Sequence, residues 1–447
     1  MSGDLPIVLV QIKHPDNVEL VRQLVQAHAY WRAKGLAVDL VIWNEDHAGY
    51  RQVLQEQIMG LISAVTGEHA IDRPGGIFVR LIDQISDEDR VLFQSVARVI
   101  LTDGGGTLAE QLKRRDLMRV RVPRLMPSAK PQGARKSAAL PERGLILANG
   151  IGGFTPDGRE YVITTSAKAV TPAPWVNVLA NPQFGSVISE SGQAYSWGEN
   201  AHEFRLTPWA NDPVSDEGGE AFYLRDEETG RYWSPTPLPR RGRQTYVSRH
   251  GFGYSVFEHA EEGVRSELWV YVALDAPVKF SVLKVRNESG RTRRLSVTGY
   301  AEWVLGDQRP KSAMHVITRV EPGSGALLAG NSWNTEFPDR VAFFDVDDPA
   351  RTVSGDRVEF LGRNGSLRSP AAMTRARLSG KVGAALDPCA AIQVPFELSD
   401  GQEREIIFRL GAGKNAEDAR NLVNRFRGSA SARAELESVW QYWKRTL

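Results

Sequence analysis

Apolar positions in the first hundred residues fall into two alternating textures. Ile7–Ile12 is a short apolar run, interrupted only by Gln11. After Asp16, which can cap a helix, Val18, Val21, Leu24, Val25, His28 and Trp31 recur at the spacing of one helical face. Gly35 closes that helix, and Ala37–Trp43 reads as a second buried strand. Tyr50–Val65 predicts a second helix with Val53, Leu54, Ile58, Leu61 and Ile62 on one side. Gly76–Ile82 supplies a third strand, and Ser86–Leu101 a third helix opened by the capping sequence Ser86-Asp87-Glu88-Asp89. The βαβαβα order predicts a small parallel sheet under covering helices across residues 1–112.

Periodicity then lapses. Residues 113–144 read as a basic, proline-containing linker: Lys113, Arg114, Arg115, Arg119, Arg121, Arg124, Lys130, Arg135 and Lys136 fall among Pro123, Pro127 and Pro131. No aromatic residue interleaves these charges for base stacking, which favours a solvated linker over a nucleic-acid patch. From 145 to 411 the period is two. Leu268, Val270, Val272 and Leu274 alternate with Trp269, Tyr271 and Ala273, Val278–Val285 is another strand, and Leu295–Leu305 returns after a polar turn. Ile392, Val394, Phe396 and Leu398 turn at Ser399-Asp400-Gly401 into Ile406–Leu410. Many short strands without a helix signal predict one large β-sandwich. Residues 412–447 become helical again, with Leu436, Val439, Trp440, Trp443 and Leu447 in a stripe.

Composition narrows the function classes. The 447-residue chain carries 55 basic and 54 acidic side chains, a formal +1, so no global field favours nucleic acid or an anionic membrane. Cys389 is the sole cysteine, which excludes an internal disulfide and a CxxC zinc site. No apolar run reaches the ~18 residues of a membrane span, and the N-terminus lacks a secretory pattern, so no membrane insertion and a cytoplasmic location are expected. A strand only six residues in suits a piece of a longer protein.

Four constellations could carry chemistry. Thr102-Asp103-Gly104-Gly105-Gly106-Thr107 could cradle a phosphate, but it matches neither nucleotide-binding spacing and reads as following a helix, which favours a mobile loop. His202, His250 and His259 lie near Glu203 and Glu258 without metal-ligand spacing; a His–Glu acid/base pair acting on a sugar is the alternative to chance proximity. Glu199, Glu203, Asp212, Asp216, Glu220, Asp226, Glu227 and Glu228 supply carboxylates for glycoside hydrolysis, or simply solvate a loop. Most informative is 197–237, where three tryptophans and several prolines sit among Asn, Asp and Arg. Sugars bind flat aromatic faces beside planar polar groups on rigid loops. Trp197, Arg205, Trp209, Asn211, Asp212, Arg225, Asp226 and Trp233 are therefore the expected carbohydrate contacts, and a tryptophan-rich core with capped turns is the competing reading.

The segments NGIGGFTPDGREYVI (149–163), TPAPWVNVLANPQFGSVISESG (171–192), RLTPWANDPVSD (205–216), YLRDEETGRYWSPTPLP (223–239), RHGFGYSVFEH (249–259) and RRLSVTGYAEWVLG (293–306) resemble the C-terminal region of cyclic β-1,2-glucan synthases. That region is similar to glycoside phosphorylases such as cellobiose phosphorylase and 1,2-β-oligoglucan phosphorylase. The resemblance implies a β-supersandwich of galactose-mutarotase type at 145–411 and linker helices at 412–447. Beyond them the family has an (α/α)6 barrel with the catalytic acid, so no catalytic residue, metal or cofactor is carried onto this chain. Asn200-Ala201-His202-Glu203-Phe204-Arg205 departs from the Asn-Ser-Arg-Glu-Asn-Arg form of many members, and no sugar contact is transferred to His202 or Phe204. The resemblance further implies a β-glucan oligosaccharide as partner, a homodimer as a possible assembly, and Val439, Trp440 and Trp443 as the interface with the barrel. A stand-alone mutarotase-like epimerase or hydrolase, and a purely structural assembly module, are the alternatives.

Overall fold

A computed structural model describes residues 4–46, 53–116, 122–130 and 140–447. The chain divides into two compact units, Met1–Val120 and Arg121–Leu447.

The first unit runs Ile7–Ile12 (β1), Val18–Ala33 (α1), Asp39–Asn44 (β2), Val53–Thr66 (α2), Ile77–Leu81 (β3), Asp87–Val96 (α3), Val99–Thr102 (β4) and Leu108–Asp116 (α4). Its strands are parallel in the order β3-β2-β1-β4. Helices cover the sheet, so the central strands β1 and β2 are largely apolar, and alternate residues sort to opposite sides. Val8, Val10, Ile12, Leu40 and Ile42 cluster with Leu24, Val25, Leu54 and Ile58 from α1 and α2. Ile7, Leu9, Val41, Trp43 and Phe78 cluster with Ile82, and Phe93 of α3 packs on them. The expected three-stranded sheet has a fourth strand. The third helix stops at Val96, Arg98 N donates to Ile7 O (2.9 Å), and β-branched Val99 and Ile100 pair with β1 instead of extending the helix to Leu101. Tyr50 lies outside the described residues.

The second unit begins with an ordered strap. Leu125 N donates to Thr374 O, Ala376 N to Pro123 O, and Ser128 N and Ala129 N to Glu228 O, all at 2.8–3.0 Å. This part of the expected solvated linker is therefore held by backbone hydrogen bonds. Arg119, Arg121, Pro131, Arg135 and Lys136 lie outside the described residues. The strands are Gly152–Phe154 (β5), Glu160–Thr165 (β6), Val176–Asn181 (β7), Phe184–Ser189 (β8), Ala194–Gly198 (β9), Glu220–Asp226 (β10), Tyr232–Trp233 (β11), Tyr246–Gly251 (β12), Tyr254–Glu261 (β13), Val264–Val272 (β14), Val278–Asn287 (β15), Arg293–Glu302 (β16), Ile317–Val320 (β17), Leu327–Gly330 (β18), Val341–Val346 (β19), Thr352–Asp356 (β20), Pro388–Leu398 (β21) and Glu403–Gly413 (β22). Two short helices, Arg309–Ser312 (α5) and Arg357–Leu361 (α6), interrupt what the sequence reads as uninterrupted β structure. Ala416–Arg425 (α7) and Ser429–Thr446 (α8) follow.

Ten strands form one antiparallel sheet, β17-β18-β19-β22-β15-β14-β13-β12-β6-β5, and five form another, β11-β10-β16-β21-β20. Leu268, Val270, Leu283, Ile406 and Phe408 from the first meet Leu224, Val297, Ile392 and Val394 from the second in the main core. The opposite face of the large sheet presents Tyr271, Phe280, Val282 and Ile407 to Leu422, Val423, Phe426 and Ala432 of the terminal helical segment. The period of two in β14 and β15 thus separates a sheet-facing side from a helix-facing side. The outer face of the small sheet buries Tyr223, Tyr300, Phe360, Met373 and Cys389, and burial raises the Cys389 thiol well above its usual range. A three-stranded sheet, β7-β8-β9, carries the features considered next.

Candidate functional site

β9 presents Tyr195 and Trp197 two residues apart, and so on one face. Their rings stack at 5.1 Å, and Trp209 stacks on Tyr195 at 5.1 Å and 11°. Tyr195 is thereby the middle ring of a three-ring stack, fixed by its hydroxyl donating to Ala201 O (2.7 Å). The indole of Trp197 lies across the neighbouring strand at Gly185, where a Cβ would fall 2.0 Å from the ring, so only glycine admits it. Trp197 and Arg205 form a backbone bridge, Arg205 bridges onward to Gly306, and Trp209 bridges to Gly218. The connecting loop is held by Asn200, whose Oδ1 accepts from His202 N (2.8 Å) and Glu203 N (3.0 Å). Glu199, Asn211 and Asp216 all take positive φ (52°, 50° and 47°), a concentration of costly backbone that elsewhere marks ligand-facing loops.

Beside the stack lies a cavity of ≈ 280 Å³ lined by Tyr195, Trp209, Asn211, Asp212, Asp216 and Gln193, among others. Trp209 is 46% exposed there. Asp212 accepts from Val214 N (2.9 Å) and Ser215 Oγ (2.5 Å), and the Ser215 and Val214 hydrogen bonds hold its carboxyl below the ordinary range. Asp216 behaves oppositely. Burial and the nearby Glu190 charge push its carboxyl up to about 6 despite a 2.6 Å hydrogen bond from Ser189. Adjacent carboxyls in contrasting states, beside an aromatic wall, are a recognised mark of a binding site.

The raised Asp216 value has a stability consequence. A folded-state pKa above the unfolded one favours the folded protein below about pH 4, and that contribution is lost as pH rises through about 6. Asp216→Asn should therefore raise the melting temperature at pH 7 by about 2 °C, reflecting about 1 kcal/mol once solvent screening of the partly exposed side chain is allowed for. At pH 4 it should change nothing. Paired thermal melts at the two pH values check this.

Of the expected contacts, Trp209, Asn211 and Asp212 line this cavity, while Trp197 and Arg205 lie behind it, joined by their backbone bridge. Arg225, Asp226 and Trp233 are not. Arg225 is buried on β10, where it forks onto Glu227 (2.8 and 3.0 Å) and donates to Met373 O (3.0 Å) and Arg375 O (2.7 Å). Buried Asp226 pairs with Arg293 at 2.5 Å and caps the turn at Glu228 and Thr229. Trp233 belongs to the main core. These three expectations are corrected: the side chains are structural, and sugar cannot reach them. Tyr195 was missed, although its register with Trp197 was readable.

The other constellations resolve structurally. Glu199 pairs with Arg340, Glu203 with His202, Glu220 with Lys279, Asp226 with Arg293, Glu227 with Arg225 and Glu228 with Arg291, which leaves Asp212 and Asp216 as the members of the acidic set that line the cavity. His250 is held between Ser255 Oγ (2.8 Å) and Trp175 O (3.1 Å), and burial pulls its imidazole down to about 4. His259 stacks on Tyr246 at 3.7 Å, while Glu258, the next residue along the strand, binds Arg143 and Arg249. Neither histidine forms the pair with Glu258 that the alternative reading requires, and His259 Nε2 faces Glu261 at 3.5 Å. The glycine-rich run follows β4, not a helix. Asp103 Oδ2 accepts from Lys13 N (2.8 Å) and His14 N (3.0 Å), and Thr107 N donates to Glu110 Oε2 (2.9 Å), which ties both ends of the run to protein groups. Among the described residues no cluster of three or more His, Cys, Asp or Glu is placed to hold a metal, and no helix is long and apolar enough to cross a membrane.

The terminal stripe is partly covered by the chain itself: Val439 is buried, Leu436 and Trp443 are half-buried, and Trp440 and Leu447 are exposed. Val439 is 1% exposed, and it and Trp443 sit over Gly253, where a Cβ would meet both side chains below 3 Å. Trp443 stacks on Phe252 (6.0 Å), and Trp440 meets Trp269 (5.9 Å) and Tyr254 (6.1 Å) edge-on. Val439 is therefore corrected from an interface residue to a core contact. Trp440 remains 39% exposed, beside a cavity of ≈ 1060 Å³.

Residues 159–429 match the family described as Glycosyl hydrolase 94, supersandwich domain. The chain is 33% identical over 454 residues to the cyclic beta-(1,2)-glucan synthase NdvB of Rhizobium meliloti, covering 99% of this chain and 16% of that protein. It is 28% identical to the N,N'-diacetylchitobiose phosphorylase of Vibrio furnissii (65% of this chain, 37% of that one) and 29% identical to the solabiose phosphorylase of Paenibacillus borealis (62% and 36%). The chain thus spans between a sixth and two fifths of these relatives. Among solved structures, a bacterial glucoamylase complexed with acarbose aligns at TM-score 0.39 and 8% identity over 64% of this chain and 41% of its own.

Proposed function

The chain belongs to the glycosyl hydrolase 94 supersandwich family, and from that premise we propose that it is the non-catalytic, carbohydrate-contacting scaffold of an enzyme of β-glucan synthesis or phosphorolysis. The observation that carries this reading is the exposed Trp209 ring, backed by the Tyr195–Trp197 stack and lining one cavity with Asn211, Asp212 and the raised carboxyl of Asp216. Aromatic faces take the C–H surface of a pyranose, while amide and carboxylate groups read its hydroxyls. Arg205, tied by its backbone to Trp197 and Gly306, contributes a donor at the same edge. The partner is a β-linked glucan, with β-1,2 linkage as the first choice. The half-exposed Trp440 and the cavity beside it are suited to a helical catalytic domain of the kind the family resemblance implies, and self-association through the sandwich is compatible with the same arrangement.

Titration of folded protein with β-1,2-gluco-oligosaccharides, followed by tryptophan fluorescence, tests the contact role. Saturable quenching or enhancement is expected, and Trp209→Ala should weaken binding about tenfold, the equivalent of ~1.4 kcal/mol. No response at millimolar ligand from protein with an intact melting transition removes the carbohydrate-contacting part of the proposal.

A further inference from the structure

Resting on that reading, we infer that Trp333, backed by His315, forms a second sugar platform on the same rim, so that the site accepts an extended oligosaccharide and not one or two rings. Trp333 stacks on the His315 imidazole at 4.5 Å and 10°, yet half of its surface remains in solvent. An indole backed on one side and open elsewhere buries little by itself, and its packing does not account for its presence. Its loop is rigid. Asn331 is buried, donates to Leu305 O (2.9 Å) and accepts from Trp333 N (3.2 Å).

Three further ties join this loop to the one carrying Arg205. Phe337 stacks on Phe204 at 5.0 Å, Asn334 Nδ2 donates to Glu203 O (3.4 Å), and Arg340 forks onto Glu199 (2.5 and 3.2 Å). The buried Phe204, one of the departures from the pattern of many members, is thus the hydrophobic pin between the two loops. Backbone bridges run from Trp197 to Arg205 and from Arg205 to Gly306, beside the Leu305 carbonyl that holds Asn331 and Asn334. Tyr195, which backs Trp209, reaches the same segment through its hydroxyl on Ala201 O (2.7 Å), so both platforms are anchored to the loop that carries Arg205. The two aromatic platforms, with the Arg205 segment between them, therefore suit successive residues of one chain.

Calorimetric titration of the full chain and of Trp209→Ala and Trp333→Ala, using β-1,2-linked glucose dimers and pentamers, separates the possibilities. The expected result is that Trp333→Ala binds the pentamer about tenfold more weakly and leaves the dimer within twofold, whereas Trp209→Ala weakens both. Trp333→Phe should recover most of the pentamer affinity, and unchanged melting of both variants would tie the loss to the ring. If Trp333→Ala binds both ligands as the parent does while Trp209→Ala loses them, this inference falls and the binding reading stands. If the parent binds neither, both fall together.

Discussion

Glu220→Ala is expected to destabilise the sandwich unit by about 3–5 kcal/mol, the usual result of stripping one partner from a buried ion pair. Lys279 on β15 is fully enclosed, and its ammonium donates to Glu220 of β10, to Ser196 Oγ (2.7 Å) and to Ser186 Oγ (3.1 Å). Glu220 in turn accepts from Ser196 (2.7 Å) and Thr207 (3.0 Å). One residue pair therefore joins all three sheets of the second unit, and burial alone would pull the Lys279 ammonium down, with Glu220 opposing it. Denaturant unfolding followed by near-ultraviolet dichroism reads the effect as a lower midpoint. The double change Lys279→Met, Glu220→Met should regain at least half of the loss, because it removes the stranded charge. A single variant within 1 kcal/mol of the parent would show that the junction carries no such energy.

Arg409→Leu should cost a similar ~3–5 kcal/mol, with a different spatial signature. The Arg409 guanidinium is enclosed on β22, where it binds Asp345 Oδ2 (2.6 Å), Asp347 and the carbonyl of Phe426 at the end of α7. Losing it leaves Asp345 to Arg351 (2.7 Å) and Asp347 to the Gly428 amide (2.8 Å), and the Phe426 carbonyl at the C-terminal end of α7 loses its guanidinium donor. Hydrogen exchange should therefore accelerate first in α7 and α8, before the sheets. Arg409→Lys should recover less than half, since a lysine cannot fork between two carboxylates and a carbonyl. Uniform acceleration across the unit would contradict this arrangement.

How far the chain could be read from sequence follows from where each signal is decided. In β14 and β15 the period of two is strict because each face is buried by a different layer, so those strands were legible. Residues 97–102 were not. Val99, Ile100 and Leu101 continue the apolar spacing of α3, and only their pairing with the distant β1 makes them a strand. In the site, Trp197 and Trp209 stood out by residue type and loop context. Arg225 and Asp226 carry the same signature, but their partners, Met373, Arg375 and Arg293, lie 67–150 residues away, so their burial left no local trace. Nothing in the residues beside Trp333 marks it, because its placement depends on Phe204 meeting Phe337 more than 130 positions apart.

The single thiol offers a use that the protein's builders, natural or otherwise, need not have intended. Cys389 lies sealed under Tyr300 and Phe360 with its proton firmly held, so an external disulfide reagent can react only while that layer is lifted. Labelling kinetics under folding conditions would report how often that layer opens, without any engineered probe. Combined with the exchange behaviour of the terminal helices, such a clock would tell whether the outer layer of the small sheet breathes independently or only when the whole sandwich comes apart.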